Sequence, residues 1–295
     1  MKVRVENFVE YLHSNKLSHN TIISYERDIR EFSKFLRSKD IDDYREIEQV
    51  HISDFIEQMT FKGERDSTIY RKSTTIKKFF SFLLKNNLIT YNPTLEIKRP
   101  KVKRELPDCI SREEFDLIIS EIDKKSFVGK RDYLIFESLF GTGIKVSELI
   151  NVNVDDIDLT TSELVVDNNS VRNIPLKKEL LEIISDYFIN IRSSFIKYPT
   201  DALFLNYKGD RISRQGIWKI IKKYSNRSQI DREINPHTLR NSYAIYLFKS
   251  GKKPEQVRKI MGYNHIISSR YFSCCTNKVQ RKEKNNEKNY FSNYR

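Results

Sequence analysis

The sequence has few of the residues that build disulfide frameworks, tight turns and membrane spans. Its 295 residues include 3 Cys, 8 Gly and 7 Pro. The cysteines have no C-x-x-C spacing, and the neighbours Cys274 and Cys275 are a poor disulfide pair. This predicts a reduced compartment and no metal site. No run of 18 apolar residues occurs, and no basic start precedes an apolar stretch, so we expect a cytoplasmic protein without membrane contact.

What the chain does contain is charge and large aromatic rings. Charged residues make up 32% of it, and 18 Phe with 16 Tyr supply apolar groups large enough for compact cores. Together with the low glycine and proline content, this composition suits a mainly helical protein. The length exceeds that of a usual single domain, so two domains are expected.

The formal net charge is +13, which indicates a polyanionic partner. A compositional bias toward Lys, Asn and Ile is the alternative explanation. The charges are segregated, however, because acidic residues gather in 40–48 and 155–158 while basic residues cluster elsewhere, and this favours a binding face. The basic clusters are Arg71, Lys72, Lys77 and Lys78; Lys98, Arg99, Lys101, Lys103 and Arg104; and Lys208, Arg211, Arg214, Lys219, Lys222 and Lys223.

The first 97 residues are predicted to form a small helical bundle. Ser18 is the expected N-cap of a helix whose apolar residues recur at steps of three and four between Ile22 and Leu36. Further helices are expected at 5–14, 52–61 and 67–85, with the basic residues of the last one exposed. Asn92 and Pro93 end the unit.

Residues 98–108 are predicted to be a basic linker and 109–280 a second domain of mixed α/β structure. Ser111 and Glu114 match a capping box. Helices are expected at 112–123, 130–140 and 177–191, and a small antiparallel sheet at 156–176 with its hairpin tip at 168–169. Ser213 caps a basic helix, and the charged tail 281–295 is expected to be flexible.

The segment that starts at Asn235 has the features of a phosphate-binding helix start. Pro236 suits the first helical turn, and Asn235 is available as the N-cap. His237 and Arg240 then lie one turn apart on one face, beside free backbone N–H groups that favour an anion. A solvated helix start is the alternative.

These motifs, in this order, resemble the tyrosine recombinase (phage integrase) family. The resemblance rests on six features, which in chain order are Thr-Gly-Ile-Lys-Val-Ser-Glu-Leu, a hairpin ending Arg-x-Ile-Pro-Leu, a capped basic helix, Pro-His-Thr-Leu-Arg, Ile-Met-Gly-Tyr and Ser-Ser-Arg-Tyr-Phe. Leu17, Ser18, Asn20, Thr21 and Tyr25 extend the likeness into an N-terminal core-binding domain. The resemblance implies site-specific DNA strand cleavage and rejoining without a cofactor, by two domains that close around duplex DNA.

In that family two arginines and a histidine hold the scissile phosphate, and a hairpin lysine protonates the leaving oxygen. Here the first arginine's position is Lys145, which lacks the bidentate fork of a guanidinium. The hairpin lysine's position is Asp167, and Arg172, the nearby basic residue, is a poor proton donor. His237 and Arg240 are retained.

The family's second histidine and its nucleophilic tyrosine are also replaced. Their positions are Tyr263 and Phe272, and a phenyl ring has no oxygen with which to attack phosphorus. Tyr271 is adjacent, but one residue along a helix turns a side chain by about 100°. It is the alternative nucleophile, with Tyr290 or Tyr294 reaching a neighbouring subunit as a further option.

The sequence therefore predicts a sequence-specific double-stranded DNA-binding protein that does not cut DNA and acts as a transcriptional repressor or a recombination accessory factor. An active recombinase and a degraded mobile-element remnant that only binds proteins are the alternatives. Partners are duplex DNA and either a second copy or another recombinase, at a bacterial nucleoid or on a phage or mobile element. The candidate DNA-binding residues are Arg71, Lys72, Lys77, Lys78, Lys101, Lys103, Arg172, Arg211, Ser213, Arg214, Lys219 and Lys222.

Overall fold

A computed structural model of the chain describes residues 2–15, 17–97, 107–167 and 171–263. It divides into two compact units, Met1–Glu105 and Leu106–Arg295. The predicted domain limits at 97 and 108 stay predictions, because 98–106 lie outside the described residues. The expected hairpin tip at 168–169 and the tail 281–295 also lie outside them.

The first unit is a helical bundle around a core rich in phenylalanine. Phe8, Phe32 and Phe79 are fully buried, and the rings of Phe8 and Phe79 meet edge to face with centroids 5.1 Å apart. Ser18 caps the second helix as predicted, since its hydroxyl accepts from the Thr21 N–H at 3.3 Å. The helices are α1 Lys2–Ser14, α2 His19–Arg37, α3 Gln49–Phe61 and α4 Asp66–Lys85, with a short 3-10 turn at Tyr44–Glu46.

The expectation that the basic residues of α4 are exposed is wrong for Lys72. Its side chain is 8% exposed, and its ammonium group donates to Glu31 at 2.7 Å and to Glu64 at 2.9 Å. Arg71 forms an ion pair with the buried Asp28. These two cations therefore hold α4 within the bundle.

The second unit combines helices with a three-stranded antiparallel sheet of order β1-β2-β3. Leu164 pairs with Ile174, and both are buried in the core of this unit. This confirms the predicted fold class, which is mainly helical with a small antiparallel sheet. The elements are α5 Arg112–Ser120, α6 Phe127–Thr142, α7 Val146–Leu149, β1 Ile157–Asp158, β2 Glu163–Asp167, β3 Val171–Pro175, α8 Lys178–Asp186, α9 Arg214–Arg227, α10 Pro236–Lys249 and α11 Pro254–Met261.

The helix expected at 177–191 is helical over that range, but its last part is not α-helical. α8 ends at Asp186 and continues as a widened π turn, Tyr187–Ile191. A 3-10 turn follows, in which the buried Arg192 donates from Nε to the Ala202 carbonyl at 3.0 Å. The chain therefore turns where Arg192 reaches that carbonyl, and isolated bridges join Asn153 to Ala202 and Leu205 to Arg211.

Within the described ranges, no helix is both long and apolar enough to cross a bilayer. The same residues contain no group of three or more His, Cys, Asp or Glu side chains placed to hold a metal ion.

Candidate functional site

The start of α10 has the local geometry that the sequence predicts. The Asn235 side-chain oxygen accepts from the N–H groups of His237 at 2.8 Å and Thr238 at 3.1 Å, and Pro236 occupies the first turn. His237 is exposed, whereas Arg240, one turn later, is 6% exposed. The cap thus fixes the start of a helix that carries an exposed imidazole and, one turn later, a buried guanidinium.

Three cations converge on the C-terminal end of α11. Arg172 donates from Nε to the Ile260 carbonyl at 3.2 Å, Arg240 donates to the Met261 carbonyl, and Lys145 lies 3.3 Å from the Gly262 carbonyl. The last carbonyls of a helix lack partners within it and carry partial negative charge, so they attract cations. We call Lys145, Arg172 and Arg240 the cation cluster.

A buried carboxylate holds this cluster from the opposite side. Glu148, whose side chain is 0% exposed, accepts two hydrogen bonds from Arg172 at 2.8 and 2.7 Å. The Lys145 backbone N–H donates to it at 2.9 Å, and the Lys145 ammonium lies 3.4 Å away. Burial raises the pKa of Glu148, but the bonds from Arg172 and Lys145 outweigh it and lower the pKa to about 2. Three positive groups therefore face one negative group, and the site keeps a positive excess.

Two glycines allow the close approach of these elements. Gly143 ends α6 with φ +63°, and its carbonyl accepts from Arg240. A Cβ at Gly143 would lie 2.6 Å from the ring of Tyr243, and one at Gly262, where φ is +61°, would lie 2.7 Å from Arg172 Nη1. Left-handed backbone is strained for residues with a Cβ. Both positions therefore require glycine for two reasons, the backbone conformation and the lack of space for a Cβ.

The imidazole of His237 is close to two positive charges. Partial burial lowers its pKa, and Arg214 and Arg240 lower it further. His237 is therefore mainly neutral at pH 7, when one ring nitrogen is a donor and the other an acceptor. Helix α9, which begins at Arg214, packs against α7 and therefore lies beside this site.

Comparison with known proteins gives this arrangement a context. Residues 109–273 match the Phage integrase family, and residues 5–87 match the phage integrase N-terminal SAM-like domain. Tyrosine recombinase XerD of Staphylococcus haemolyticus is 32% identical over 277 residues, which cover 92% of this chain and 94% of the relative. The chain belongs to the phage integrase family of tyrosine recombinases. Tyrosine recombinase XerC of Roseiflexus sp. is 31% identical over 281 residues, covering 92% and 89%.

Solved structures of tyrosine recombinases share the fold. The Tn1549 transposon integrase in complex with transposon right end DNA has a TM-score of 0.76 at 19% identity, covering 95% of this chain and 98% of that one. XerH bound to palindromic difH substrate has a TM-score of 0.74 at 21% identity, covering 89% and 78%.

Of the family's catalytic positions, those described here mostly lie together. Lys145, Arg240 and Tyr263 lie at the end of α11, where the Arg240 guanidinium carbon is 5.2 Å from the centre of the Tyr263 ring, and His237 lies one turn before Arg240 on α10. Asp167 is exposed at the end of β2 and has no contact with the cluster among the described residues. The catalytic roles that the family resemblance assigns to Asp167 and to the other positions stay predictions.

Phe272 and Tyr271 lie outside the described residues. Tyr263, which the sequence presents only as the replacement of the second histidine, places a hydroxyl-bearing side chain beside Arg240. Burial raises the pKa of Tyr263, while Arg240 acts in the opposite direction by charge and hydrogen bonding. A neutral phenol at this place is a hydrogen-bond donor, as the histidine would be.

Glu148 is the residue that sequence reasoning missed. A signal for it existed, because Glu148 follows Lys145 by three residues and the two therefore lie on neighbouring faces of one helical turn. Its second partner, Arg172, is 24 residues away on β3, and no local pattern connects them. The carbonyls at 260–262 carried no side-chain signal at all.

The basic residues proposed to contact DNA differ in how far they are already engaged. In the first unit, Lys77 donates to the Ile97 carbonyl at 3.0 Å, and the Lys78 ammonium lies 5.5 Å from the centre of the Tyr25 ring. These contacts, together with those of Arg71 and Lys72, engage four of the five cations of α4 within the bundle.

In the second unit, Arg211 is tied to its own domain. Its guanidinium donates to the carbonyls of Ile150 at 3.0 Å and Val152 at 3.1 Å. Ser213 is the N-cap of α9, since its hydroxyl accepts from the Gly216 N–H at 3.1 Å. The exposed basic candidates are Arg214, Lys219 and Lys222, and Ser213 is exposed as well. Lys101 and Lys103 lie outside the described residues.

Proposed function

We propose that the protein binds specific sequences of double-stranded DNA through its recombinase scaffold and does not cleave them, acting as a transcriptional repressor or a recombination accessory factor. The observation that carries this proposal is the cation cluster with His237 above it. The second unit thus brings a positive excess and a neutral imidazole together in one site.

A phosphodiester fits this site by its chemistry. Guanidinium groups match the oxygens of a phosphate in pairs of hydrogen bonds, and Arg240 has N–H groups beyond the two that bind carbonyls. The exposed His237 lies one turn before Arg240 on the same face of α10. The expected free N–H groups at the start of α10 are not free, because Asn235 accepts from those of His237 and Thr238, so the helix start contributes only its dipole. Structural neighbours solved in complex with DNA, such as the Tn1549 transposon integrase with transposon right end DNA, support DNA as the ligand.

The lack of cleavage is inferred from three replacements. Phe272 offers no nucleophilic oxygen, Asp167 offers no ammonium proton for the leaving group, and Lys145 offers no bidentate fork. The first of these removes the covalent step, the second removes the general acid for the leaving oxygen, and the third weakens stabilisation of the pentacoordinate phosphate.

The second candidate function is an active recombinase. Two observations favour it: Tyr271 is adjacent to the nucleophile's position, and Tyr263 brings a hydroxyl to the side of Arg240. The relatives XerD and XerC are named tyrosine recombinases, and each aligns with 92% of this chain. A tyrosine donated by a partner subunit is a third route to the same chemistry.

A nicked duplex that traps covalent intermediates separates the two functions. The protein first selects its binding site from a random duplex library, and the selected duplex is then nicked at each position in turn. We expect a footprint on the intact duplex and no denaturant-resistant protein–DNA band. A band that disappears in Tyr271→Phe or in Tyr263→Phe would establish cleavage and identify the nucleophile.

The choice between a repressor and an accessory factor depends on where the protein binds. We propose a cytoplasmic protein at the nucleoid, with residues 1–97 as the core-binding domain and 109–280 as the domain that holds the phosphate. Genome-wide immunoprecipitation with bound sites next to promoters would support repression. A single site at the junction of a mobile element would support a role in recombination.

A further inference from the structure

Helix α9 has one apolar face and one basic face. Ile217, Ile221 and Tyr224 are buried in the core of the second unit. The helix contains no aspartate or glutamate, so nothing on it offsets its positive charges. Its exposed residues are Arg214, Gln215, Trp218, Lys219, Lys222, Lys223, Asn226 and Arg227.

Trp218 is the exception on that basic face. It is the only tryptophan of the chain, and its side chain is 39% exposed among lysines and an arginine. Among the residues that the structure describes, none accepts a hydrogen bond from its indole N–H. Tryptophan buries more apolar area than other side chains when a partner covers it, so this position suits a contact that forms on binding.

Trp218 lies near the proposed phosphate site, which indicates that bound DNA is the partner that covers it. Helix α9 packs against α7, whose Glu148 holds the cation cluster, and Arg211, just before α9, donates to the carbonyls of Ile150 and Val152 just after α7. The N-terminal end of α9 therefore lies beside the proposed phosphate position. Trp218 follows Arg214 by four residues, about 6 Å along the helix axis. A duplex whose phosphate sits at His237 therefore passes along the start of α9, and the major groove of B-DNA is wide enough to admit a helix.

The chemistry of the exposed face matches an A·T-rich segment. Gln215 and Trp218 lie three residues apart on the same side of α9, so they meet neighbouring base pairs. Glutamine forms paired hydrogen bonds with adenine, and in the major groove the 5-methyl group of thymine is the apolar feature that distinguishes it. An indole surface complements that methyl group, while the surrounding lysines bind phosphates.

We propose that Trp218 recognises thymine in the target by covering its 5-methyl group, and that it sets sequence specificity together with Gln215. This rests on the proposed function, because it requires that the second unit bind duplex DNA. It assigns base recognition to a residue outside the phosphate site.

The test replaces thymine by uracil in the selected duplex, one position at a time, which removes only the methyl group. Wild-type affinity is expected to fall about fourfold at one or two positions, the effect of exposing one apolar carbon. Trp218→Ala should bind the thymine and uracil duplexes equally, and Trp218→Phe should keep part of the difference. Tyr207→Ala is the matched control, an exposed aromatic side chain of the same unit that should leave both affinities unchanged.

Intrinsic fluorescence gives a second readout, because Trp218 is the only tryptophan. Its emission should change on titration with the selected duplex. Normal duplex binding with unchanged emission, or a thymine preference that persists in Trp218→Ala, would overturn this inference and leave the proposed function intact. Failure of the wild-type protein to bind any duplex would overturn both.

Discussion

Replacing Glu148 by glutamine is expected to destabilise the second unit strongly at neutral pH. The carboxylate is fully buried and accepts two hydrogen bonds from Arg172 and one from the Lys145 backbone. A glutamine side chain has the same shape but no charge, and one of its two oxygen positions becomes an N–H₂ group that faces the guanidinium. Arg172 would thus be buried without its counter-charge.

The magnitude follows from the pKa. In the folded protein the pKa of Glu148 falls from 4.5 to about 2. At about 1.36 kcal/mol per pKa unit, this corresponds to about 3 kcal/mol of stabilisation. Because the folded pKa is the lower one, the stabilisation is complete above pH 4.5 and is lost as the pH falls toward 2. At pH 3 less than half of it should remain.

Urea denaturation of the full chain at pH 7 and pH 3, followed by the emission of Trp218, measures this effect in the second unit. Glu114→Gln is the matched control, because Glu114 is also a capping-box residue that accepts two bonds from one arginine, Arg232, but is partly exposed. We expect a loss of about 3 kcal/mol for Glu148→Gln and at most about 1 kcal/mol for the control at pH 7. Equal losses, or a Glu148 effect that does not shrink at pH 3, would refute the reasoning.

Three further perturbations test other parts of the account. Gly262→Ala should cost about 3 kcal/mol in urea denaturation and weaken DNA binding, whereas Gly251→Ala, which also has positive φ but open space around it, should cost about 1 kcal/mol. Lys72→Met should cost about 3 kcal/mol in denaturation followed by circular dichroism, because two carboxylates lose their buried partner, without changing the DNA sequence that the protein selects. Arg240→Ala should reduce the slope of log affinity against log salt by about one, whereas the exposed Lys178→Ala should leave it unchanged; equal slopes would argue against a phosphate at Arg240.

Helix boundaries were predictable where a single side chain decides them. Ser18, Ser111, Ser213 and Asn235 all cap the helices that the sequence assigns to them, because a cap acts on backbone groups within three residues. Lys72 was mistaken for an exposed residue although it follows Ile69 by three residues. Its position on the apolar face of α4 indicated that Lys72 is buried, whereas its charge suggested that it is exposed.

In the candidate site, too, local relations could be predicted from the sequence, whereas contacts between distant residues could not. The relation of His237 to Arg240 follows from one helical turn and could be predicted. The contacts of Arg240 with the carbonyls of Gly143 and Met261 join residues 97 and 21 positions apart, and that of Arg172 with Ile260 spans 88. Backbone carbonyls have no sequence signature, so the packing of α11 against the cation cluster required the structure.

The central claim is that the protein retains its hold on a phosphodiester without attacking it. Intact-mass measurement of the wild-type protein, saturated with its selected duplex nicked next to the bound phosphate, tests this directly. We expect the unmodified protein mass together with a complete mobility shift of the duplex. A mass increase equal to the strand segment that ends in the attacked phosphate, with the segment beyond it released as a 5′-hydroxyl fragment, would contradict the claim if the adduct maps to a peptide that contains Tyr263 or Tyr271.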